Sequence, residues 1–292
     1  MTSMTESRPH APGRLRILHL SDTHLFGDGT LHYGAVDTVA ALGRVLDAAS
    51  DVAGIDVVLL SGDLSDDGSP ASYRILTSAV EPWAAERGAE VVYVMGNHDV
   101  RAGFEAVLGE RTGTATVAGL RIARLDSSVP GYGYGSISDE QLEWLRRELA
   151  DGAPTIVVLH HPPTAPTTPL LAALKLQNPE PLLDICSGAG VVAILSGHYH
   201  HALVTTERGI PVIVAPGITN TTDVHAPAGR ERARIGSGFA VVDIPLEAPV
   251  GERAALRVTI HAAPGPGDGR ILFDLGTDEV AAIAAKSGPP AL

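Results

Sequence analysis

The sequence predicts an α/β fold in which two β-sheets pack face to face with helices outside, the first half built from β-α-β units. Three observations predict it. Short apolar, often β-branched runs alternate with stretches of helical spacing as far as about residue 195. Beyond that point apolar runs succeed one another without intervening helices, which predicts mixed or antiparallel pairing in a second sheet. Five of the apolar runs end on polar clusters rich in Asp, Asn and His: Ser21-Asp22-Thr23-His24, Gly62-Asp63, Gly96-Asn97-His98-Asp99, His160-His161-Pro162-Pro163 and Gly197-His198-Tyr199-His200. In open α/β sheets ligands collect at the carboxyl ends of strands, so these ends are expected to converge on one site.

The first element is a strand, Leu15–Leu20, and Asp22 and His24, two residues apart on an extended backbone, should face the same side. Val36, Val39, Ala40, Leu42, Leu46 and Ala49 define a helix from Ala35 to Ser50. Asp56–Leu60 is a strand, and Pro70 suits the first turn of a helix to about Arg87. Strand Glu90–Met95 precedes a short helix near 101–109, and strand Leu120–Leu125 leads into the loop Gly131-Tyr132-Gly133-Tyr134-Gly135. Ser138 with Gln141 is a capping box for a helix ending near Leu149. Thr155–Leu159 is a strand, and residues 162–181, with six prolines, read as a long surface loop that could cover the site. Val191–Leu195, Leu203–Thr206, Ile210–Ala215, Phe239–Ile244 and Leu256–Ala262 are strands, and Asp278–Lys286 is a terminal helix.

Bulk composition narrows the function. A chain of 292 residues with 45% hydrophobic content can bury a large core. Residues 1–14 read as a disordered leader without a signal-peptide core, 15–262 as one domain and 263–292 as a C-terminal tail with a short helix. No apolar run approaches the roughly 18–20 residues of a membrane span, and a cytoplasmic location is expected. The lone Cys186 excludes a thiolate cage and fits a buried thiol, so any metal must be held by nitrogen and oxygen. A net charge of −13 argues against a long nucleic acid as partner, since that needs clustered Lys and Arg. A small phosphate ester remains compatible if metal ions supply the positive charge.

Taken in order, Asp-x-His, Gly-Asp, Gly-Asn-His-Asp, His-His-Pro-Pro and Gly-His-x-His resemble the motifs of the calcineurin-like metallophosphoesterase superfamily over roughly residues 15–245. Ser21–Leu25, Leu31–Asp37 and Met95–Asp99 look most like bacterial class III cyclic-nucleotide phosphodiesterases, with related glycerophosphodiesterases sharing much of the pattern. The resemblance implies a four-layer αββα sandwich of two mixed sheets (the metallophosphoesterase fold), a two-metal site and often a homodimer. It assigns Asp22, His24 and His200 to one metal, Asn97, His160 and His198 to the other, and Asp63 to both. It implies attack by a metal-bridging hydroxide, with His98 contacting the phosphate and acting as general acid and Asp66 as its partner. Nitrogen and oxygen ligands suit Fe, Mn, Zn, Co or Ni without choosing among them.

His161 and His201 are expected to point away from the metals, and His10, His19, His32, His225 and His261 have no motif around them, although His32 and His225 lie in loops that could approach the mouth of the site. Asp99 is expected to support its turn. Asp67 stands where the superfamily's phosphatases carry an Arg that could clamp a dianionic monoester, and an Asp there would repel one, which favours a diester. The expected activity is hydrolysis of 3′,5′-cyclic nucleotides, foremost cAMP to AMP. Hydrolysis of glycerophosphodiesters or other small diesters is the alternative, and a catalytically silent metal-dependent binding module a further one. Base recognition is expected from loops 27–34, 131–135 and 162–181.

Overall fold

A computed structural model describes residues 13–246 and 256–290. The expected leader lies almost entirely outside the described residues, as does His10. The chain runs β1 (Arg14–Leu20), α1 (Thr38–Ala49), β2 (Val57–Ser61), α2 (Pro70–Ala85), β3 (Glu90–Val94), α3 (Arg101–Leu108), β4 (Gly113–Val117), β5 (Leu120–Arg124), α4 (Asp139–Glu148), β6 (Thr155–Val158), α5 (Pro169–Ala173), α6 (Glu180–Ser187) and β7 (Val191–Ser196). It continues with β8 (Leu203–Glu207), β9 (Ile210–Val214), β10 (Asn220–Thr222), β11 (Glu231–Ile235), β12 (Gly238–Pro245), β13 (Arg257–Ala262), β14 (Ile271–Leu275) and α7 (Thr277–Ser287).

Two mixed sheets form the body, one ordered β13-β12-β1-β2-β3 and the other β4-β5-β6-β7-β9-β8. Side-chain alternation along the strands separates the layers. Leu15, Ile17, Val57 and Leu59 face Ile122, Ile156, Val158, Leu195 and Ile213 across the sandwich. Leu18, Leu20, Val58 and Leu60 face the other way, onto Leu42, Val45, Tyr73 and Leu76 of α1 and α2. On the outside of the second sheet, Val157 and Ile194 pack under Leu145 of α4 and Leu182 and Cys186 of α6, where the thiol is buried. The layers are therefore αββα. No helix among the described residues is long and apolar enough to cross a membrane.

Several details depart from the sequence expectation. The four late strands do not make a sheet of their own. β8 and β9 extend the sheet of β7, whereas β12 returns to pair antiparallel with β1, Arg14 opposite Pro245, and β13 joins on its far side. A run with two apolar faces fits either sheet, and local pattern carries no information on so distant a partner. The first helix begins at Thr38, because Gly34 (φ 65°) and a bridge between His32 and Val36 turn the chain first, and Asp37 then caps the helix by accepting from Ala40 N at 2.9 Å. The proline-rich segment holds two short helices, Pro169 and Pro181 falling in their first turns, where a missing N–H costs nothing. The segment after residue 262 carries an unforeseen strand: β14 pairs antiparallel with β11, and β10, β11 and β14 form a third, small sheet.

Candidate metal centre

Three neighbouring parallel strands of one sheet, β1, β2 and β3, and two of the other, β6 and β7, end at the same rim. The loops they release are stitched together through the main chain: Asp22 N donates to Gly62 O (3.0 Å), His24 N to Asp63 O (2.9 Å) and Gly197 N to His160 O (3.0 Å). Two motif glycines are needed for close approach. A Cβ on Gly62 would strike the His160 ring, and one on Gly96 would strike the main chain and carboxylate of Asp63.

The backbone at these strand ends is not extended. Asp22 (φ 56°), His24 (43°), Asp63 (49°), His198 (68°) and His200 (53°) all occupy the left-handed region. Each such residue costs ~1–3 kcal/mol, a strain that clusters where side chains must be aimed. Asp22 and His24 do face one centre, but through successive left-handed turns rather than strand alternation.

Ligand-type atoms of Asp22, His24, Asp63 and His200 lie within 4.8 Å of one another, as do those of Asp63, His160 and His198. Asp63 belongs to both groups. The donor set fits cations: Asp22 Oδ2, Asn97 Oδ1 and His160 Nε2 are buried without a hydrogen-bond partner. His24 Nε2 and His200 Nε2 face each other at 3.2 Å, a geometry suited to two lone pairs aimed at a common positive charge. The second ring nitrogens of His24, His160 and His198 are anchored, which fixes their tautomers, whereas His200 Nδ1 has no hydrogen-bond partner among the described residues. His24 Nδ1 donates to Asp66 Oδ1 (2.8 Å), His160 Nδ1 to Ser61 O (2.8 Å) and His198 Nε2 to Leu174 O (3.0 Å).

Asp66 also holds His98, with Nδ1 at 3.0 Å from Oδ1, and His98 is 44% exposed at the rim. The recess disfavours the charged ring, yet the Asp63 charge and the Asp66 hydrogen bond more than offset this and lift the His98 pKa to about 9. Burial alone would raise Asp63, but the imidazoles of His160, His98 and His24 hold its carboxyl well below the usual range. Burial and the neighbouring His161 and His160 keep His198 neutral.

The remaining candidates separate clearly. His161 spends both ring nitrogens, Nε2–H donating to Gly133 O (3.1 Å) and Nδ1 accepting from Ser127 Oγ (2.8 Å), and burial lowers its pKa to about 3. His201 bonds Thr167 Oγ1 (2.6 Å), and His19 bonds Ser61 Oγ (2.9 Å). Asp99 is a buried brace that accepts from Ser65 N (2.9 Å), Gly96 N (2.8 Å) and Tyr73 Oη (3.0 Å). Asp67 overturns an expectation. Its carboxylate accepts from Gly27 N (2.7 Å), Ser69 N (2.9 Å) and Ser65 Oγ (3.0 Å), and it does not line the cavity over the centre, so it does not face a substrate held there. What survives is the missing arginine: no Lys or Arg is among the described residues that line that cavity.

The cavity measures about 290 Å³ and also brings in residues without a motif signal. His32 is buried, its ring 4.7 Å from His24 and its Nδ1 3.8 Å from Asp66, and Tyr33 stands beside it. Leu170, Leu171 and Leu174 of the proline-rich segment form one wall; Asn220, Glu231 and Phe273 belong to another. His32 and Tyr33 fall in the stretch Leu31–Asp37, and Leu170, Leu171 and Leu174 in the loop 162–181, both of which the sequence singled out, whereas Asn220, Glu231 and Phe273 carry no signal in the sequence.

A double-sheet sandwich whose strand ends deliver two adjoining His/Asp groups sharing one carboxylate defines a protein that can hold two neighbouring cations. The chain belongs to the calcineurin-like phosphoesterase family, whose description matches residues 15–202. That family uses a dinuclear metal site. The chain is 44% identical over 231 residues to a probable cyclic nucleotide phosphodiesterase of Rhodococcus erythropolis, covering 76% of each chain. It is 42% identical over 232 residues to a cAMP/cGMP dual specificity phosphodiesterase of Mycobacterium tuberculosis, covering 76% of this chain and 73% of that one. Among solved structures it shares its fold with a purple acid phosphatase from yellow lupin (Lupinus luteus), with a TM-score of 0.61 at 14% identity, over 98% of this chain and 58% of the other.

Proposed function

We propose that the protein hydrolyses 3′,5′-cyclic nucleotides, foremost cAMP to AMP. The observation that carries the reading is the cavity of about 290 Å³ that sits directly on the two His/Asp groups with His98 in its wall and no Lys or Arg among the described residues of its lining. Such a volume lies at the small end of ligand sites, and a monoanionic diester needs no guanidinium clamp. Similarity to relatives named as cyclic nucleotide phosphodiesterases points the same way.

On this reading Asp22, His24, Asp63 and His200 hold one metal, and Asp63, Asn97, His160 and His198 the other. Bound there, two di- or trivalent ions (Fe, Mn, Zn or Co) supply charge neutralisation and water activation for in-line displacement. The chain's own part is to position and to move a proton. Asp66 fixes His98 through Nδ1 and leaves Nε2 as the free ring nitrogen. As a water oxygen bonds to phosphorus, giving up a proton to solvent, and the P–O3′ bond breaks, Nε2–H would give its proton to the departing O3′ and be reprotonated from solvent. The Asp66 hydrogen bond to Nδ1 favours the protonated ring.

The test is a kcat/KM panel of cAMP, cGMP, glycerophosphodiesters and p-nitrophenyl phosphate on purified, metal-analysed protein. Highest efficiency on a cyclic nucleotide is the expected outcome. A large preference for the glycerophosphodiesters or the monoester would overturn the reading.

A further inference from the structure

One wall of the cavity is built from a part of the chain that carries none of the strand-end motifs. In the small sheet β10-β11-β14, successive residues face opposite ways. The outward face is bound up in ion pairs, Arg232 with Asp274 (2.9 Å) and Arg234 with Asp223 (2.9 Å). The inward face presents Asn220, Thr222, Glu231, Phe273 and Leu275, and all five line the cavity. Thr222, Ala233 and Phe273 lie in one row across the sheet, so only a methyl separates the ring from the polar edge. Helix α7, directly after β14, closes the same cavity: Ile283 lines it, and the Ser287 carbonyl accepts from Gly133 N at 2.7 Å.

Phe273 meets Tyr33, ring centroids 5.2 Å apart and planes inclined at 49°. Tyr33 is 63% exposed, and the tight turn it makes with Gly34 (φ 49° and 65°), closed by the His32–Val36 bridge, places its ring beside Phe273. Two rings in contact leave no slot for a third between them. They make one aromatic ledge beside the phosphate end of the cavity, with the polar edge of the small sheet beyond it.

We propose that Phe273 and Tyr33 form the ledge on which the nucleobase of the substrate stacks, which makes β14 a specificity element of the site. This rests on the cyclic-nucleotide reading above. Stacking of a base on an aromatic ring is sequence-tolerant and loses on the order of 1–3 kcal/mol when the ring is removed. The penalty of losing the ring should therefore fall on substrates that carry a base.

The test compares wild type, Phe273→Ala, Phe273→Leu and Phe273→Tyr as metal-loaded proteins on cAMP and on the methyl riboside 3′,5′-cyclic phosphate, which lacks the base. Phe273→Leu keeps the apolar volume, so the test stands even if the alanine variant folds poorly. Removing the ring is expected to raise KM for cAMP about tenfold, or 1.4 kcal/mol, with kcat within about twofold, while Phe273→Tyr stays near wild type. The base-free analogue should show no matching change, and AMP binding measured by calorimetry should weaken in parallel with KM. Equal losses on both substrates, or none on cAMP, would overturn the ledge. Wild-type protein that cleaves another diester but not cAMP would instead overturn the cyclic-nucleotide reading itself.

Discussion

On the side of the centre built from β1 and the end of β7, the imidazole of His24 is held by a carboxylate, Asp66, which also holds His98. Across Asp63, His160 and His198 are held by main-chain carbonyls, those of Ser61 and Leu174. A carboxylate partner makes an imidazole a stronger donor and ties it to a group that can be mutated or titrated. A carbonyl partner fixes only orientation, and no side-chain substitution removes it. One side is therefore coupled, through a single carboxylate, to the proposed proton donor, while the other is a rigid part of the fold.

Four variants test that contrast. The largest effect is expected from Asp63→Ala, since Asp63 belongs to both groups: metal analysis should fall from about two ions per chain to well under one, with activity lost. A retained dinuclear stoichiometry would mean that the two sides share nothing. Next is His98→Ala, for which kcat on cAMP should drop about 10²–10⁴-fold at unchanged metal content. The loss should shrink on a p-nitrophenyl diester, whose leaving group needs no proton; an equal loss on both would remove the general-acid role.

Asp66→Asn should sharpen the comparison. It is expected to weaken one metal by about 10–100-fold, read by competition with a chelator, and to spare the other. Weakening of both ions alike would show that the sides are not independently braced. The smallest effect belongs to Leu174→Ala, which keeps the carbonyl that accepts from His198: metal occupancy is expected within about twofold of wild type, and a marked loss would mean that the leucine side chain, rather than its main chain, sets that imidazole.

Much of this is legible in the sequence because it is written locally. Ser138 caps α4 by accepting from Gln141 N, Pro70 opens α2, and the strand-end motifs sit where the strands stop. Asp67 shows where local reading fails. A carboxylate next to a site in sequence is expected to face substrate, yet this one has three loop donors to satisfy and turns to them. His32 lies in a loop that the sequence allowed to approach the mouth, and only the fold brings its ring to 4.7 Å from His24.

The sequence by itself determined the main strands and helices of the two-sheet body, the family resemblance and the residue types able to bind cations, because periodicity, capping and strand-end chemistry act over a few residues. Tertiary structure alone decided which sheet each late strand joined, that β14 would wall the cavity, and that Tyr33 and Phe273 would touch across some 240 residues of chain. Those outcomes depend on long-range pairing such as β1 with β12 and on left-handed backbone at five of the candidate ligands, and neither leaves a mark in the local pattern of apolar and polar residues.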